Sequence, residues 1–356
     1  MKRMNTTIWK VQSDASSAHP FLTEAGSWIA RGRTVAFPTE TVYGLGADAG
    51  NTAAVEAIFE AKGRPSDNPL IVHIADEEQL DALVRHVDDT SRQLMRAFWP
   101  GPLTLVLPAK PGAVSPRVTA GLSTVAVRMP AHPVALELIR AAGCPVAAPS
   151  ANRSGRPSPT LASHVRDDLD GRIGGIVDGG PAGVGVESTV VVVEAGGGRI
   201  RVLRPGGVTV ADMRRAAPGV EVTVETAGEE ALAPRSPGMK YTHYAPQGKL
   251  TLVQGEPEEV AAYIRRMLAE AKQSGERTGV LTTAERTELY EADRVVRCGH
   301  EDDMEAAARE LYAALRQFDE AGITLIWADG YTSSDGIGLA VMNRLNKAAG
   351  HRIVQV

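Results

Sequence analysis

The feature that most constrains the fold is a repeated alternation of two hydrophobic patterns between Thr34 and Ala217. Short apolar runs rich in β-branched residues, which favour strands, are separated by helical patterns and by loops dense in Gly and Pro. This alternation predicts a mixed α/β domain. The predicted strands are TVAFP, PLIVHIA, PLTLVLPA, TVAVRMP, IGGIVDG, STVVVVE and IRVLRPG. A helix is predicted over NTAAVEAIFEAKG, which begins with Asn51, a residue suited to an N-cap.

The periodicity fades between Pro218 and Gly248. There the segment PRSPGMKYTHYAPQG is rich in Pro, Gly and aromatic residues, which is typical of a connector between domains. Beyond it, KLTLVQ, TGVLTT, DRVVRCG, ITLIWADG and HRIVQV alternate with helical stretches, and this pattern predicts a small parallel α/β domain. We therefore predict a first domain over residues 1–217, a linker over 218–248 and a second domain over 249–356.

Composition narrows the class of protein. The formal net charge of −5 argues against strong direct binding to nucleic acid and favours small anionic substrates. The two cysteines, Cys144 and Cys298, are too few for a disulfide framework or a closed thiolate zinc site, which favours a cytoplasmic protein with reduced thiols. The sequence has no apolar segment long enough to predict a signal peptide or a membrane helix.

Three polar strings follow predicted strands or a helix. PTETVYGLG carries hydroxyls and two glycines, and predicts either a loop that closes over a polar ligand or a plain turn. In AKGRPSDNPLIVH, Lys62 and Arg64 lie at the end of the predicted helix, where one interpretation makes them solvated charges. In the other, the two prolines that follow hold Ser66 and Asn68 beside these cations, and the loop donates hydrogen bonds to phosphate oxygens. In VAAPSANRSGRPSPT, alternation puts Ser150 and Asn152 on one side of an extended segment, facing a ligand or forming a polar connector.

Absent signatures exclude several chemistries. The sequence contains no G-x-x-x-x-G-K-[ST] string, so a P-loop that would cradle nucleotide phosphates is excluded. A nucleophile elbow G-x-S-x-G and an H-E-x-x-H string are also missing, so neither a serine hydrolase nor a zinc protease is supported.

Taken together and in order, these strings resemble the threonylcarbamoyl-AMP synthases, the YrdC-type family, in the long form with a C-terminal accessory domain. The resemblance rests on PTETVYGLG, KGRPSDNPLIVH, TVAVRMP, PSANRSGRPSPT, ESTVV, LRPG, SPGMKYTHYAP and GIGLAVMNRLNKAA. It implies a twisted mixed sheet around a concave cavity, followed by a smaller Rossmann-like parallel domain. It also implies that Tyr244 reaches the nucleotide from the linker. Because SPGMKYTHYAP is rich in residues that suit docking on a surface, we predict that this linker acts as a lid, with Tyr244 closing over bound nucleotide, and a stiff spacer is the alternative.

The same resemblance implies an activity. L-threonine, bicarbonate and ATP would be condensed to threonylcarbamoyl-AMP and pyrophosphate, for threonylcarbamoyladenosine at position 37 of transfer RNA. Mg²⁺ would arrive with ATP rather than in a protein metal site. A transfer-RNA-modifying transferase complex would be the downstream partner. Two alternatives stay open, namely a double-stranded RNA-binding module and a carbamoyl-transferring maturation enzyme that shares the domain.

Site residues follow from motif positions in the resemblance. The implied catalytic residues are Lys62 and Arg64. The implied contacts of L-threonine are Thr41, His73, Arg128, Ala148 and Ser188. The implied contacts of ATP are Lys62, Arg64, Asn68, Thr124, Ser150, Asn152, Ser158, Arg204 and Tyr244. Of these, Arg128 is suited to a bidentate grip on the threonine carboxylate.

Overall fold

The structure is a computed structural model, and it describes residues 4–12, 19–225, 244–331 and 335–356. As far as they are described, the residues divide into two compact units. The first consists of Met1–Ser154, Pro159–Gly183 and Glu187–Lys240, and the second of Gly155–Ser158, Val184–Val186 and Tyr241–Val356. The domain limits predicted from the sequence remain a prediction.

The first unit contains a mixed sheet, in which the described strands follow the order β1-β8-β2-β3-β7-β4-β6-β5-β9-β10-β11. Its strands are β1 Thr7–Lys10, β2 Val35–Phe37, β3 Gly44–Asp48, β4 Ile71–His73, β5 Leu103–Pro108, β6 Thr124–Arg128, β7 Val146–Ala147, β8 Gly175–Asp178, β9 Thr189–Val193, β10 Arg199–Arg204 and β11 Glu221–Val224. Its helices are α1 Pro20–Ala30, α2 Thr52–Lys62, α3 Glu78–Leu83, α4 Asp89–Phe98, α5 Pro116–Thr119, α6 Pro133–Ala142, α7 Ala162–Leu169 and α8 Val210–Ala216.

The second unit contains a sheet whose described strand pairs are all parallel, in the order β14-β13-β15-β12-β16. This confirms the parallel α/β pattern predicted from the sequence. Its elements are β12 Lys249–Gln254, α9 Pro257–Gln273, β13 Thr278–Thr282, a 3-10 helix Ala284–Leu289, β14 Arg294–Arg297, α10 Met304–Glu320, β15 Leu325–Asp329, α11 Gly338–Ala348 and β16 Ile353–Gln355.

Helix α2 begins and ends as its sequence predicts. The Asn51 side chain accepts a hydrogen bond from the Ala54 amide at 3.2 Å, which caps the first turn. Gly63 follows the last residue in the left-handed conformation, with φ of 61°, where a glycine costs least. The helix therefore delivers Lys62 at its last turn and Arg64 just beyond it.

The structure corrects the prediction of a loop over the second half of PTETVYGLG. Gly44–Asp48 forms β3, which pairs antiparallel with β2 and β7. A Cβ at Gly46 would lie 2.8 Å from the Phe37 ring and 2.8 Å from Val146. The glycine is therefore needed for close packing between strands, and its flexibility is not what matters.

Two further strands have no counterpart among those predicted. One is β1, which pairs in parallel with β8. The other is β11, which lies inside the segment predicted as a linker and pairs in parallel with β10. Both are four residues long and lie at the two edges of the sheet, where a short pattern gives a weak signal. Residues 226–243 of the predicted linker lie outside the described residues.

Candidate active site

The middle of the first sheet has two different faces. In β4 and β6, Val72 and Val127 point into the main hydrophobic core. Alternation turns Ile71, His73 and Arg128 to the opposite face, where His73 and Arg128 are register partners. A small apolar cluster, made of Ile71, Val106, Ala126, Val190 and Leu203, lies on that face beside them. One face thus builds the core, and the other carries polar groups at the ends of β4 and β6.

Arg128 is fixed by the loop between β2 and β3. Its Nη1 donates to Thr41 Oγ1 at 2.8 Å, and its Nε donates to the Gly101 carbonyl at 3.2 Å. Thr39 Oγ1 lies 2.8 Å from Thr41 Oγ1 and donates to the Val42 carbonyl at 2.7 Å, so the Thr41 hydroxyl proton is directed at Thr39. Thr41 is thereby oriented as an acceptor for Arg128, and the guanidinium is held in one position.

His73 lies next to Arg128 and is buried. Its ring meets the Phe37 ring edge to face, with centroids 6.0 Å apart. Burial, reinforced by the positive charge of Arg128, lowers the pKa of His73 to about 3. The imidazole is therefore neutral near pH 7, where it can donate or accept a hydrogen bond without adding charge to the site.

Lys62 is buried, whereas one reading of the sequence put it in solvent. Its Nζ donates to the Asn152 carbonyl at 2.6 Å, lies 3.4 Å from Asn152 Oδ1, and also donates to the Ser150 carbonyl. Ser150 Oγ donates to Asn152 Oδ1 at 2.6 Å, which joins the two side chains that alternation puts on one side. The structure therefore brings Lys62, Ser150 and Asn152 together.

Arg64 and Asn68 meet in the loop after α2. Arg64 is half-buried and its Nη2 donates to the Asn68 carbonyl at 3.4 Å, while Asn68 is buried. Arg64 also lines a surface groove of about 520 Å³, together with Phe59, Pro65 and Arg117 among others. The loop thus holds one cation in a polar turn beside the buried Lys62.

Ser188 and Arg204 form a third group. Arg204 Nη2 donates to the Ser188 carbonyl at 2.9 Å and to Ser188 Oγ at 3.2 Å. Ser188 Oγ lies 2.7 Å from Thr104 Oγ1. Thr104 is a residue that the sequence did not single out, because a threonine inside an apolar strand is typical of a sheet core.

The remaining predicted residues lie in different surroundings. Ala148 is buried and its amide donates to the Ile71 carbonyl at 2.9 Å, just beyond β7. Thr124 begins β6, at the opposite end of that strand from Arg128. Ser158 is fully buried in the Gly155–Ser158 segment of the second unit.

Tyr244 lies in the second unit and packs within it. Its ring centroid is 5.3 Å from that of Tyr312, and the guanidinium carbon of Arg344 is 5.8 Å from the Tyr244 ring centroid. Its backbone is left-handed, with φ of 68°. Met239, Tyr241 and His243 of the predicted lid lie outside the described residues. The role of Tyr244 toward ATP stays a prediction.

Glu40 is the main residue of this region that the sequence analysis missed. Its Oε1 lies 2.6 Å from Arg128 Nη2, and both side chains are largely buried. The only sequence signal was its position inside PTETVYGLG, because a single carboxylate in a loop usually faces solvent.

The described residues contain neither a cluster of metal-ligating side chains nor a membrane-spanning helix. No group of three or more His, Cys, Asp or Glu side chains among them could hold a metal ion. None of the helices in this part of the chain is both long enough and apolar enough to cross a bilayer.

Comparison with known proteins covers almost the whole chain. A family model for Sua5, YciO and YrdC, described as telomere recombination, matches residues 27–206, and a model for the threonylcarbamoyl-AMP synthase C-terminal domain matches residues 208–350. Threonylcarbamoyl-AMP synthase of Bacillus subtilis is 52% identical over 99% of this chain and 100% of that protein. The Pyrococcus abyssi enzyme is 47% identical over 93% of this chain and 95% of that protein.

Solved structures agree with the sequence comparison. The crystal structure of Pyrococcus abyssi Sua5 complexed with L-threonine is 45% identical, covers 99% of this chain and 100% of that chain, and superposes with a TM-score of 0.90. The mixed sheet, the parallel second sheet and the matched residues lead to one assignment. The chain belongs to the Sua5/YrdC family, in its two-domain threonylcarbamoyl-AMP synthase form.

Proposed function

We propose that this protein is an L-threonylcarbamoyladenylate synthase, which condenses L-threonine, bicarbonate and ATP to threonylcarbamoyl-AMP and pyrophosphate. The observation that carries the proposal is the similarity to the Bacillus subtilis enzyme over the full length of both chains. A buried arginine fixed beside hydroxyls and a neutral histidine supports it, because such a group suits an amino-acid carboxylate.

The amino-acid side of the proposed site consists of Thr41, His73, Arg128, Ala148 and Ser188. Arg128 takes the carboxylate of L-threonine, since its planar guanidinium offers a fork of donors. The hydrogen bonds to Thr41 and to the Gly101 carbonyl hold the guanidinium in place before substrate arrives. A donor that is already oriented loses little entropy on binding.

The nucleotide side consists of Lys62, Arg64, Asn68, Thr124, Ser150, Asn152, Ser158, Arg204 and Tyr244. The amine of threonine and bicarbonate give a carbamate and water, and a carbamate oxygen then attacks the α-phosphorus of ATP and displaces pyrophosphate. Negative charge grows on the phosphoryl oxygens and on the leaving group, and the Lys62 and Arg64 cations stabilise it. The chemistry requires no covalent enzyme nucleophile.

We also propose that Mg²⁺ enters as part of MgATP. The hard oxygen ligands that Mg²⁺ prefers are supplied by the triphosphate and water, and the described site residues supply cations and amides. The product would serve a transfer-RNA-modifying transferase in the cytoplasm, for threonylcarbamoyladenosine at position 37.

The experiment that tests this function measures pyrophosphate release with each substrate omitted in turn. Release that requires ATP, L-threonine and bicarbonate together is the expected result. Equal release without threonine or without bicarbonate would identify a general ATPase instead. A salt-dependent shift with double-stranded RNA, in the absence of substrate-dependent release, would favour the RNA-binding alternative.

A further inference from the structure

Buried polar atoms without a hydrogen-bond partner are concentrated around Arg128. In the part of the chain that the structure describes, they include both carboxylate oxygens of Glu40, Nη2 of Arg128 and Nδ1 of His132. A buried polar atom left unpaired costs free energy, so proteins rarely retain several of them in one place. Their concentration indicates a position that a polar ligand completes.

Arg128 and Glu40 form an ion pair, but within the described part of the chain their facing atoms lack hydrogen-bond partners. Arg128 Nη2 lies 2.6 Å from Glu40 Oε1, yet neither atom has a partner in hydrogen-bond geometry among the described residues. The Arg128 Nε and Nη1 donors are already committed to the Gly101 carbonyl and to Thr41 Oγ1. Arg128 Nη2 and the Glu40 carboxylate thus form an ion pair whose hydrogen-bonding capacity a ligand can take up.

The two histidines add no positive charge to this position. Burial lowers the pKa of His132, although the nearby Glu40 carboxylate acts in the opposite direction, and burial also lowers the pKa of His73. The ligand therefore meets one cation and one anion, side by side and shielded from water. That arrangement complements an α-amino acid, which carries a carboxylate and an ammonium on the same carbon.

We infer that Glu40 is a further catalytic residue, which binds the amino group of L-threonine and accepts a proton from it. The inference rests on the proposed function. Arg128 holds the substrate carboxylate, and Glu40 turns from Arg128 to the ammonium as the substrate enters. The interaction is a charge-assisted hydrogen bond in a buried site, where such bonds are strong.

Proton transfer to Glu40 makes the amine a nucleophile. The ammonium has no free electron pair, so it must lose one proton before nitrogen can bond to carbon. The carboxylate of Glu40 becomes a carboxylic acid, and the neutral amine adds to the carbon of bicarbonate. The new N–C bond forms as a C–O bond breaks, a second nitrogen proton leaves with that oxygen as water, and Glu40 returns its proton to solvent.

The test is a double-mutant-type thermodynamic cycle, in which the Glu40 carboxylate and the amino group of the ligand are each removed, alone and together. L-threonine and (R)-3-hydroxybutanoate, which lacks the amino group, are titrated calorimetrically into the wild-type chain and into Glu40→Gln, without ATP or bicarbonate. We expect Glu40→Gln to lower the affinity for L-threonine by about tenfold to a hundredfold, the range for a hydrogen bond to a charged group. The affinity for the hydroxy acid should not change. Equal losses for both ligands, or no loss for L-threonine, would overturn the role of Glu40.

Matched variants separate this role from a structural one. Glu56→Gln makes the same chemical change on the exposed face of α2, where Glu56 pairs with Arg117, and should change neither affinity. Glu40→Asp keeps the carboxylate and should restore part of the preference for L-threonine over the hydroxy acid. If Glu40→Asp shows the same preference between the two ligands as Glu40→Gln, the role of Glu40 as a proton acceptor is contradicted. Failure of the wild-type chain to bind L-threonine would instead overturn the proposed function itself.

Discussion

The Lys62 ammonium lies 2.6 Å from the main-chain oxygen of Asn152, and it also donates to the Ser150 carbonyl. One buried side chain thus joins the last turn of α2 to the loop after β7. These contacts orient Lys62 before any ligand arrives. They also make it a structural residue, so its removal should affect the stability of the first unit as well as its chemistry.

The first prediction therefore concerns Lys62→Met, which keeps an apolar stem and removes the donors. We expect the free energy of unfolding to fall by about 1–3 kcal/mol, because buried carbonyl oxygens lose their partner. Turnover should fall by a factor on the order of 10²–10³, as when an oriented charge-stabilising donor is lost. Chemical denaturation and pyrophosphate release measure the two effects. An unchanged unfolding curve would show that the buried contacts contribute nothing to stability.

A second prediction separates Arg64 from its neighbour Arg117, because both line the same groove. Arg64→Ala should lower turnover by a factor on the order of 10²–10³ and leave the melting temperature nearly unchanged, since the side chain is only half-buried. Arg117 is about half exposed and pairs with Glu56, so Arg117→Ala should leave both quantities near those of the wild type. Similar turnover in the two variants would remove Arg64 from the nucleotide side.

Arg128→Lys provides the third prediction. Lysine keeps the positive charge but loses the planar fork, together with the contacts to Thr41 and Gly101. The KM for L-threonine should rise by about tenfold or more, while the KM for ATP stays within about twofold. Arg140→Lys, at an exposed arginine paired with Asp76, is the matched control. A comparable rise in both KM values would assign Arg128 to the phosphates.

The fourth prediction follows from the pKa of His73, which burial lowers to about 3 from about 6.5 in the unfolded chain. Between these values the unfolded chain binds the extra proton, so stability is fully present above pH 6.5 and is lost as the pH falls. From pH 7 to pH 5 the wild type should lose about 2 kcal/mol more than His73→Asn. Denaturant unfolding at pH 7 and at pH 5 measures the free energy of unfolding of both chains and so gives this difference. His86→Asn, at an exposed histidine, is the matched control. The same loss of stability in His73→Asn as in the wild type would contradict the prediction.

The strands that the sequence predicted well are those with runs of β-branched residues, such as STVVVVE and PLTLVLPA, which became β9 and β5. Strand β3 was missed because Gly44 and Gly46 suggested a flexible turn. Gly46 is required by other strands of the sheet, since Phe37 and Val146 occupy the volume that a Cβ at Gly46 would need. Local propensity cannot encode that requirement.

The sequence predicted those residues of the candidate site that lie in recognisable motifs. Motif position brought Arg128 and Thr41 into one prediction, and the structure joins them by a hydrogen bond. The sequence did not distinguish the buried Lys62 from the half-buried Arg64, because both lie at the end of the same helix. The contacts that bury Lys62 come from Ser150 and Asn152, far along the chain. Glu40 was missed for a similar reason, since only the fold brings it to Arg128.

The Arg128–Glu40 pair has a kinetic consequence. A pocket whose fixed charges cancel exerts little long-range attraction on a dipolar amino acid, so electrostatic steering contributes little to its capture. Dissolved salt screens such short, buried interactions only weakly, because the Debye length of about 8 Å at physiological ionic strength exceeds the separation of the charges. Capture of the amino acid should therefore be nearly insensitive to ionic strength, with its rate set by diffusion and by access to the pocket.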